Sequence, residues 1–250
     1  SVMELRFPHE LQQLMFRIEQ KLDAVVLSKL RKLIALGLLG STRRDFQGEP
    51  LLHKKFSDMV RAAKAAGMKT RVFTNGLPLT EPMALGILSA GLDLMRFSVD
   101  GASEESYQKN RVGGKFARVR DNMEMMTRLA REQESEIRLE WQMIALSNNE
   151  HEIPLAQKMA EDIGINFIVK SYAETDPELV PIDPKYRRGI QPKPCLDIYR
   201  AIFVYFNGDV VPCCYDQQGE NVVGNLAEKS LEDIWNGDSY VSLRQRVDNA

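Results

Sequence analysis

The stretch KTRVFTNGLPLTEPMALGILSAGLDLMRFSVD, residues 69–100, decides the fold class. It begins with the alternating apolar pattern of a strand and continues into a helix that opens at Thr80-Glu81-Pro82, where a capping Thr precedes an early Pro. Gly91 is typical of a helix C-terminus, and residues 92–100 have the composition of a second strand. This strand–helix–strand order predicts two parallel strands in one sheet.

The same alternation continues on both sides of this stretch. Parallel strands joined by helices bind ligands at their carboxyl ends, so the loops that follow the strands are the place to look for function. We therefore predict an α/β fold with a parallel sheet over residues 1–171. The predicted strands are residues 1–7, 40–46, 69–75, 92–100, 136–146 and 165–171, and the predicted helices are residues 9–36, 54–66, 80–91, 116–132 and 150–163.

Composition excludes several classes of protein. The chain has 250 residues, is 44% hydrophobic and carries a net charge of −2, which argues against disorder and against a nucleic-acid partner. The longest apolar stretch, residues 33–40, is too short for a membrane span, and charges near the first residue break up any signal peptide. Three cysteines are too few for a disulfide framework. We expect a cytoplasmic protein with no membrane partner.

The pattern changes after residue 171. Residues 172–194 contain five prolines and no strong period, which predicts a linker. A compact tail follows at residues 195–250, where Asn207-Gly208 stands between two apolar runs and predicts a hairpin. The predicted organisation is thus a barrel-like domain at 1–171, a linker at 172–194 and a small domain at 195–250.

All three cysteines, Cys195, Cys213 and Cys214, lie in this tail. Clustered thiolates are typical of soft-metal and iron–sulfur sites, and the hairpin can bring Cys195 near Cys213 or Cys214. Adjacent residues of a strand point to opposite faces, so four thiolates cannot be assembled from these residues alone. Three small buried thiols explain the same spacing equally well.

Three predicted strands end in Gly or a short polar side chain. These loops are Gly48-Glu49-Pro50, Thr74-Asn75-Gly76 and Ser98-Val99-Asp100-Gly101. Gly allows close approach of a ligand to the backbone, and the polar side chains can hydrogen-bond an amine or a hydroxyl. Each loop alone is typical of an ordinary turn. Three of them at one edge are a better signal of a binding site, although the topology of the sheet more often explains such a set.

Three separate stretches carry a resemblance to a known family. Taken in order, they resemble a radical S-adenosylmethionine (radical SAM) enzyme with a SPASM-type C-terminal domain. The resemblance implies a partial (β/α)6 TIM-like barrel and a small C-terminal SPASM or twitch-like domain. The first stretch is FQGEPLLHKKFSDMVRAAKAAGMKTRVFTNG from residue 46, and the second is GLDLMRFSVDGASEESYQKNR from residue 91. The third is PCLDIYRAIFVYFNGDVVPCCYD from residue 194, continued by GNLAEKSLEDIWNG from residue 224.

The resemblance also implies cofactors and the residues that hold them. The family's Gly-Glu-Pro loop receives the amino group of S-adenosylmethionine, and its Ser-x-Asp-Gly strand end faces the cofactor or the substrate. A later Arg often contacts the cofactor, and the tail cysteines hold an auxiliary [4Fe-4S] cluster. The implied cofactor-binding residues are Gly48, Glu49, Pro50, Ser98, Asp100 and Arg111, and the implied metal ligands are Cys195, Cys213 and Cys214.

The chain departs from the family at the CxxxCxxC motif, whose three thiolates hold the cluster that cleaves S-adenosylmethionine. Aligned from Glu4, the three ligand positions are His9, Gln13 and Phe16. Histidine can ligate iron, glutamine rarely does and phenylalanine cannot. No shift of register restores the motif, because every cysteine of the sequence lies after residue 194.

Three hypotheses follow. The first is a diverged family member that binds S-adenosylmethionine or a substrate and acts as a pseudoenzyme, as partner of an active radical SAM protein. The second is an active iron–sulfur enzyme that modifies a peptide, a sugar or another small molecule with a non-standard or incomplete cluster site. The third is a metal-free barrel that only recognises its substrate. The sequence favours the first and leaves the catalytic residues unassigned.

Overall fold

A computed structural model describes residues 48–172, 176–187, 196–199, 201–205, 207–214, 216 and 218–248. The strands and the long helix predicted before residue 47 lie outside these residues, as do His9, Gln13, Phe16 and Cys195. The chain forms two compact units, one that holds residues 49–64 and 70–192 and one that includes residues 193–250. No helix in the described ranges has both the length and the apolar character of a membrane span.

The first unit is built on a parallel sheet of four strands in the order β1-β2-β3-β4. Consecutive strands are neighbours, and a helix connects each pair, as the alternating sequence pattern predicts. The strands are β1 (Arg71–Thr74), β2 (Leu94–Ser98), β3 (Arg138–Ala145) and β4 (Asn166–Ser171). The helices are α1 (Phe56–Ala65), α2 (Glu81–Ala90), α3 (Glu104–Asn110), α4 (Phe116–Glu132) and α5 (Ile153–Ile163).

Local sequence accounts for most of these boundaries. Helix α4 occupies residues 116–132 as predicted, and α2 ends at Gly91, whose φ of 77° is the left-handed conformation of a C-cap. Sequence analysis missed helix α3. Its signal is Ser103, whose hydroxyl accepts a hydrogen bond from the Ser106 amide, followed by two glutamates in the first turn.

The two faces of the sheet differ in chemistry. Met95, Phe97, Trp141 and Met143 are fully buried on one face, where the Trp141 ring packs against Phe116 of α4. Side chains alternate between faces along a strand, so their neighbours form the other face. The strand register places six residues of that face side by side in two rows, and four of them are polar or charged. These are Phe73, Arg96 and Glu140 in one row and Ser98, Gln142 and Ile168 in the next.

The segment predicted as a linker is tied to the first unit over part of its length. Residues Pro177–Leu179 and Pro184–Tyr186 form 3-10 helices. The Ser147 amide donates to the Leu179 carbonyl, and the Glu150 carboxylate accepts hydrogen bonds from the amides of Ile182 and Asp183. Residues 176–187 therefore lie against the loop that follows β3. The domain boundaries at 171 and 195 stay a prediction.

The second unit contains the predicted hairpin. Strands β5 (Phe203–Val204) and β6 (Asp209–Val211) pair antiparallel around Asn207-Gly208, and β7 (Gly224–Asn225) joins the other edge of β6. Gly208 has a φ of 88°, the conformation that makes glycine favourable in such a turn. Helices α6 (Leu231–Trp235) and α7 (Asp238–Asp248) follow, and the unit has its own core of Ile198, Val210, Val223, Leu226, Ile234 and Tyr240.

Candidate functional site

Glu49 fixes its loop to the end of strand β1. Its carboxylate accepts hydrogen bonds from the Thr74 hydroxyl at 2.5 Å, the Asn75 amide at 2.7 Å and the Leu51 amide at 3.1 Å. A carboxylate offers about four acceptor positions, and three of these are used within the chain. Glu49 therefore positions the loop, a role that the sequence did not predict. Pro50 is buried beside it and begins a 3-10 helix.

Asp100 and Arg111, two residues that the sequence singled out separately, form an ion pair. The Arg111 Nε and Nη2 atoms lie 2.9 and 2.6 Å from Asp100 Oδ2, and the Ile144 amide donates to Oδ1 at 2.8 Å. Asp100 is buried, whereas the Arg111 side chain keeps 29% exposure. The aspartate thus holds β2, β3 and the end of α3 together, and the Arg111 side chain stays partly exposed.

Tyr107 brings an unpartnered hydroxyl to the same edge of the sheet. Its side chain is fully buried, and its Oη atom has no hydrogen-bond partner among the residues that the structure describes. Burial is the main cause of the raised pKa of Tyr107. The charge of Arg111 lowers this pKa, and the charge of Asp100 raises it further. Glu49 also acts on the phenol electrostatically. Buried polar atoms are normally satisfied, so this orphan indicates a place for an external acceptor or donor.

The polar face of the sheet carries an ion pair that the sequence analysis did not identify. Arg96 Nε and Nη2 lie 2.6 and 2.5 Å from Glu140 Oε2, and their side chains are 16% and 7% exposed. Arg96 Nη1 also donates to Gln142 Oε1 at 3.3 Å, and the Arg96 guanidinium lies over the Phe73 ring. The sequence signal for this pair is a charged residue inside each of two mostly apolar strands, Arg96 in β2 and Glu140 in β3. Ser98 lies on this face, in register with Gln142.

Glu152 ties the loop after β2 to the start of helix α5. Its carboxylate accepts hydrogen bonds from the Ala102 amide at 2.6 Å and the Ser103 hydroxyl at 2.5 Å. Burial raises the pKa of Glu152, but these two hydrogen bonds, together with Ser106 and the charge of His151, outweigh burial and leave the pKa below its ordinary value. The ionised form of Glu152 is therefore stabilised by folding.

We expect the stabilising effect of Glu152 to depend on pH. Since its pKa is lowered in the folded chain, the contribution is complete above the unfolded pKa of roughly 4.3 and is lost as the pH falls through the folded value. The free energy of unfolding, measured by urea denaturation, should separate wild type from Glu152→Gln at pH 7 and much less at pH 3. The exposed carboxylate Glu136, changed to Gln, serves as the control. A gap that stays constant with pH contradicts this assignment.

In the tail, Cys213 and Cys214 follow strand β6 and are half-buried. Cys195, outside the described residues, directly precedes the 3-10 helix Leu196–Tyr199. Within the described part of the chain, no three His, Cys, Asp or Glu side chains are close enough to hold a metal ion together. The donor chemistry still fits an iron–sulfur cluster in part, because thiolates are its usual ligands and the sequence brings three to this unit.

The first unit is thus an α/β domain with polar loops at the ends of its parallel strands, and the second unit carries Cys213 and Cys214 beside a small antiparallel sheet. Two family models match the chain: the radical SAM superfamily over residues 17–139 and the iron–sulfur cluster-binding SPASM domain over residues 195–250. The chain belongs to the radical SAM superfamily, in the group with a SPASM domain. These domains imply [4Fe-4S] clusters and S-adenosylmethionine as the family's cofactors.

Curated relatives agree with this assignment. The PqqA peptide cyclase of Xanthomonas euvesicatoria pv. vesicatoria is 27% identical over 233 residues, which cover 79% of this chain and 62% of the relative. The tungsten-containing aldehyde ferredoxin oxidoreductase cofactor-modifying protein of Pyrococcus furiosus is 26% identical over 245 residues, which cover 79% of this chain and 67% of the relative. The chain thus spans about three fifths to two thirds of the length of the relatives it matches.

Solved structures show the same fold. Streptococcus suis SuiB superimposes with a TM-score of 0.66 at 16% identity, over 92% of this chain and 61% of SuiB. SuiB bound to its precursor peptide SuiA superimposes with a TM-score of 0.62 at 15% identity, over 79% of this chain and 54% of SuiB. This likeness confirms the predicted partial TIM-like barrel.

Proposed function

We propose that this protein binds S-adenosylmethionine and a peptide substrate in its barrel, does not cleave the cofactor in the family's usual way, and acts beside an active homologue. The observation that carries the proposal is the position of the cysteines, all of which lie in the tail. The SAM-cleaving cluster needs three thiolates after the first strand. His9, Gln13 and Phe16 stand at the aligned positions, and this donor set does not fit the cluster.

The described residues nevertheless support binding of S-adenosylmethionine. The cofactor's amino-acid end carries an ammonium and a carboxylate, which need hydrogen-bonding groups of both kinds. Arg111 offers a partly exposed guanidinium, and the Tyr107 hydroxyl is an unpartnered buried donor nearby. Glu49 holds its loop in place at the same edge of the sheet. The first part of the proposal rests on this group.

A peptide is the substrate class that the relatives favour. The PqqA peptide cyclases and SuiB with its precursor peptide SuiA carry that substrate in their names. The polar face of this sheet can hydrogen-bond a peptide backbone, since Gln142 and Ser98 lie side by side and are half-buried. The Arg96–Glu140 pair next to them can orient a charged side chain.

We expect Tyr107→Phe to weaken S-adenosylmethionine binding about tenfold, because one hydrogen bond of about 1.4 kcal/mol is lost. The same change should leave the free energy of unfolding unchanged or slightly raised, since it removes a buried hydroxyl that has no partner among the described residues. Calorimetric titration with S-adenosylmethionine and urea denaturation measure the two quantities.

Tyr186→Phe is the matched control, because it removes the same hydroxyl from a half-exposed residue of residues 176–187. Equal affinities of Tyr107→Phe and wild type would remove Tyr107 from the site. A wild-type chain that does not bind S-adenosylmethionine at all contradicts the cofactor half of the proposal.

The missing cleavage is tested on anaerobically reconstituted protein. We expect less than one 5′-deoxyadenosine per chain after prolonged incubation with a strong reductant and S-adenosylmethionine, alone and with peptide. A known radical SAM enzyme treated in parallel supplies the positive control. Repeated turnover by this chain would overturn the proposal.

A second candidate function, an active peptide-modifying enzyme, is favoured by the names of the relatives. It requires a metal arrangement other than the family's three-cysteine site, and it predicts both turnover and a modified peptide by mass spectrometry. The metal-free recognition barrel predicts neither iron nor sulfide in the purified protein. Iron, sulfide and product measured on one sample therefore separate the three hypotheses.

A further inference from the structure

Arg244, on helix α7 of the tail, lies against two aromatic rings that also contact each other. Its guanidinium carbon is 4.1 Å from the centre of the Trp235 ring and 4.3 Å from that of Tyr240. Its Nε atom donates to the Ile198 carbonyl at 3.2 Å, and its Nη1 atom donates to the Trp235 carbonyl at 2.9 Å. Stacking and these two hydrogen bonds fix the plane and the direction of the guanidinium.

The remaining guanidinium nitrogen is unsatisfied. Arg244 Nη2 is buried and has no hydrogen-bond partner among the residues of the tail that the structure describes. A charged group that loses water without a replacement acceptor is costly, and buried donors without a partner are rare. The position therefore calls for an acceptor, preferably an anionic one.

The surroundings of Arg244 point to the cysteine ligands. Ile198, which receives one of its hydrogen bonds, follows Cys195 by three residues in the sequence. Tyr240, which lies against the guanidinium, has its pKa raised to about 12, chiefly by burial, with Arg244 opposing the rise and Cys213 adding to it. Cys213 thus acts electrostatically on the tyrosine whose ring lies against Arg244.

We propose that Arg244 is a positioning residue of the auxiliary iron–sulfur site, whose Nη2 atom donates a hydrogen bond to a sulfur of the cluster or of its cysteine ligands. Thiolate and sulfide sulfurs are anionic acceptors, and hydrogen bonds to them stabilise the reduced cluster and raise its potential. This role concerns the tail only and does not depend on the function proposed for the barrel.

The test uses the full chain reconstituted anaerobically with iron and sulfide. Arg244→Met should keep most of the bound iron and shift the midpoint potential downward, because a positive donor beside the sulfurs is lost. Arg244→Lys keeps the charge without the planar fork, so it should recover only part of that shift. Potentiometric titration followed by the visible and electron paramagnetic resonance spectra measures both effects.

Arg246→Met is the matched control, since it removes the same charge from an exposed position of the same helix. An equal shift in Arg244→Met and Arg246→Met, or no shift in either folded variant, overturns the proposal. A wild-type chain that binds no iron and sulfide also overturns it. Circular dichroism shows whether Arg244→Met folds. If it does not fold, the test rests on Arg244→Lys, and a wild-type midpoint potential and wild-type spectra in that variant contradict the proposed hydrogen bond.

Discussion

Glu140→Leu is expected to destabilise the barrel by about 3–5 kcal/mol, because it leaves the Arg96 guanidinium buried without its carboxylate. Glu140 is the acceptor for two nitrogens of Arg96 and lies 3.3 Å from Arg138 as well, while its own side chain is only 7% exposed. The penalty comes from the unpaired charge and not from the lost packing. Urea denaturation of wild type and variant measures it.

The double variant Arg96→Met/Glu140→Leu separates the two causes. Removing both charges should restore most of the lost stability, since an apolar pair of similar volume often replaces a buried ion pair at little cost. Glu124→Ala, which breaks an exposed pair with Arg120, should change the free energy of unfolding by about 1 kcal/mol or less. A double variant as unstable as Glu140→Leu would show that the charge pair is not the source.

The second large effect is expected for Trp141→Ala, at about 3–5 kcal/mol. Trp141 is fully buried, packs edge-on against Phe167 and contacts Phe116, so its removal opens a cavity between the sheet and helix α4. Its Nε1 atom also donates to the Val99 carbonyl at 2.9 Å, directly before Asp100. Removal of Trp141 should therefore disturb the loop at Asp100 as well as the core.

Trp141→Phe tests how the loss of stability divides between ring packing and the hydrogen bond to Val99. It keeps a ring but removes the hydrogen bond to Val99, which predicts a smaller loss of about 1–3 kcal/mol. Leu155→Ala on helix α5 serves as the surface control, because Leu155 is 46% exposed. Equal stability losses in Trp141→Ala and Leu155→Ala would contradict the packing described here.

Sequence reasoning succeeded where the signal is local. The strand–helix alternation, helix α4 at 116–132, the cap at Gly91 and the hairpin at Asn207-Gly208 each follow from a few neighbouring residues. Helix α3 was missed although its cap residue Ser103 was available. In residues 176–187, proline content predicted a linker, but contacts with Ser147 and Glu150 tie the segment down. Such contacts have no local signature.

The sequence by itself determined the family, the strand–helix alternation that builds the described parallel sheet, and the absence of cysteines before residue 195. Only the tertiary structure decided how the site residues are used. It showed that Glu49 holds Thr74, that Asp100 holds Arg111, and that Arg244 Nη2 has no hydrogen-bond partner among the residues that the structure describes. The physical reason is distance along the chain: periodicity and caps act within a few residues, whereas the partners of Glu49 and Arg96 stand 25 and 44 residues away.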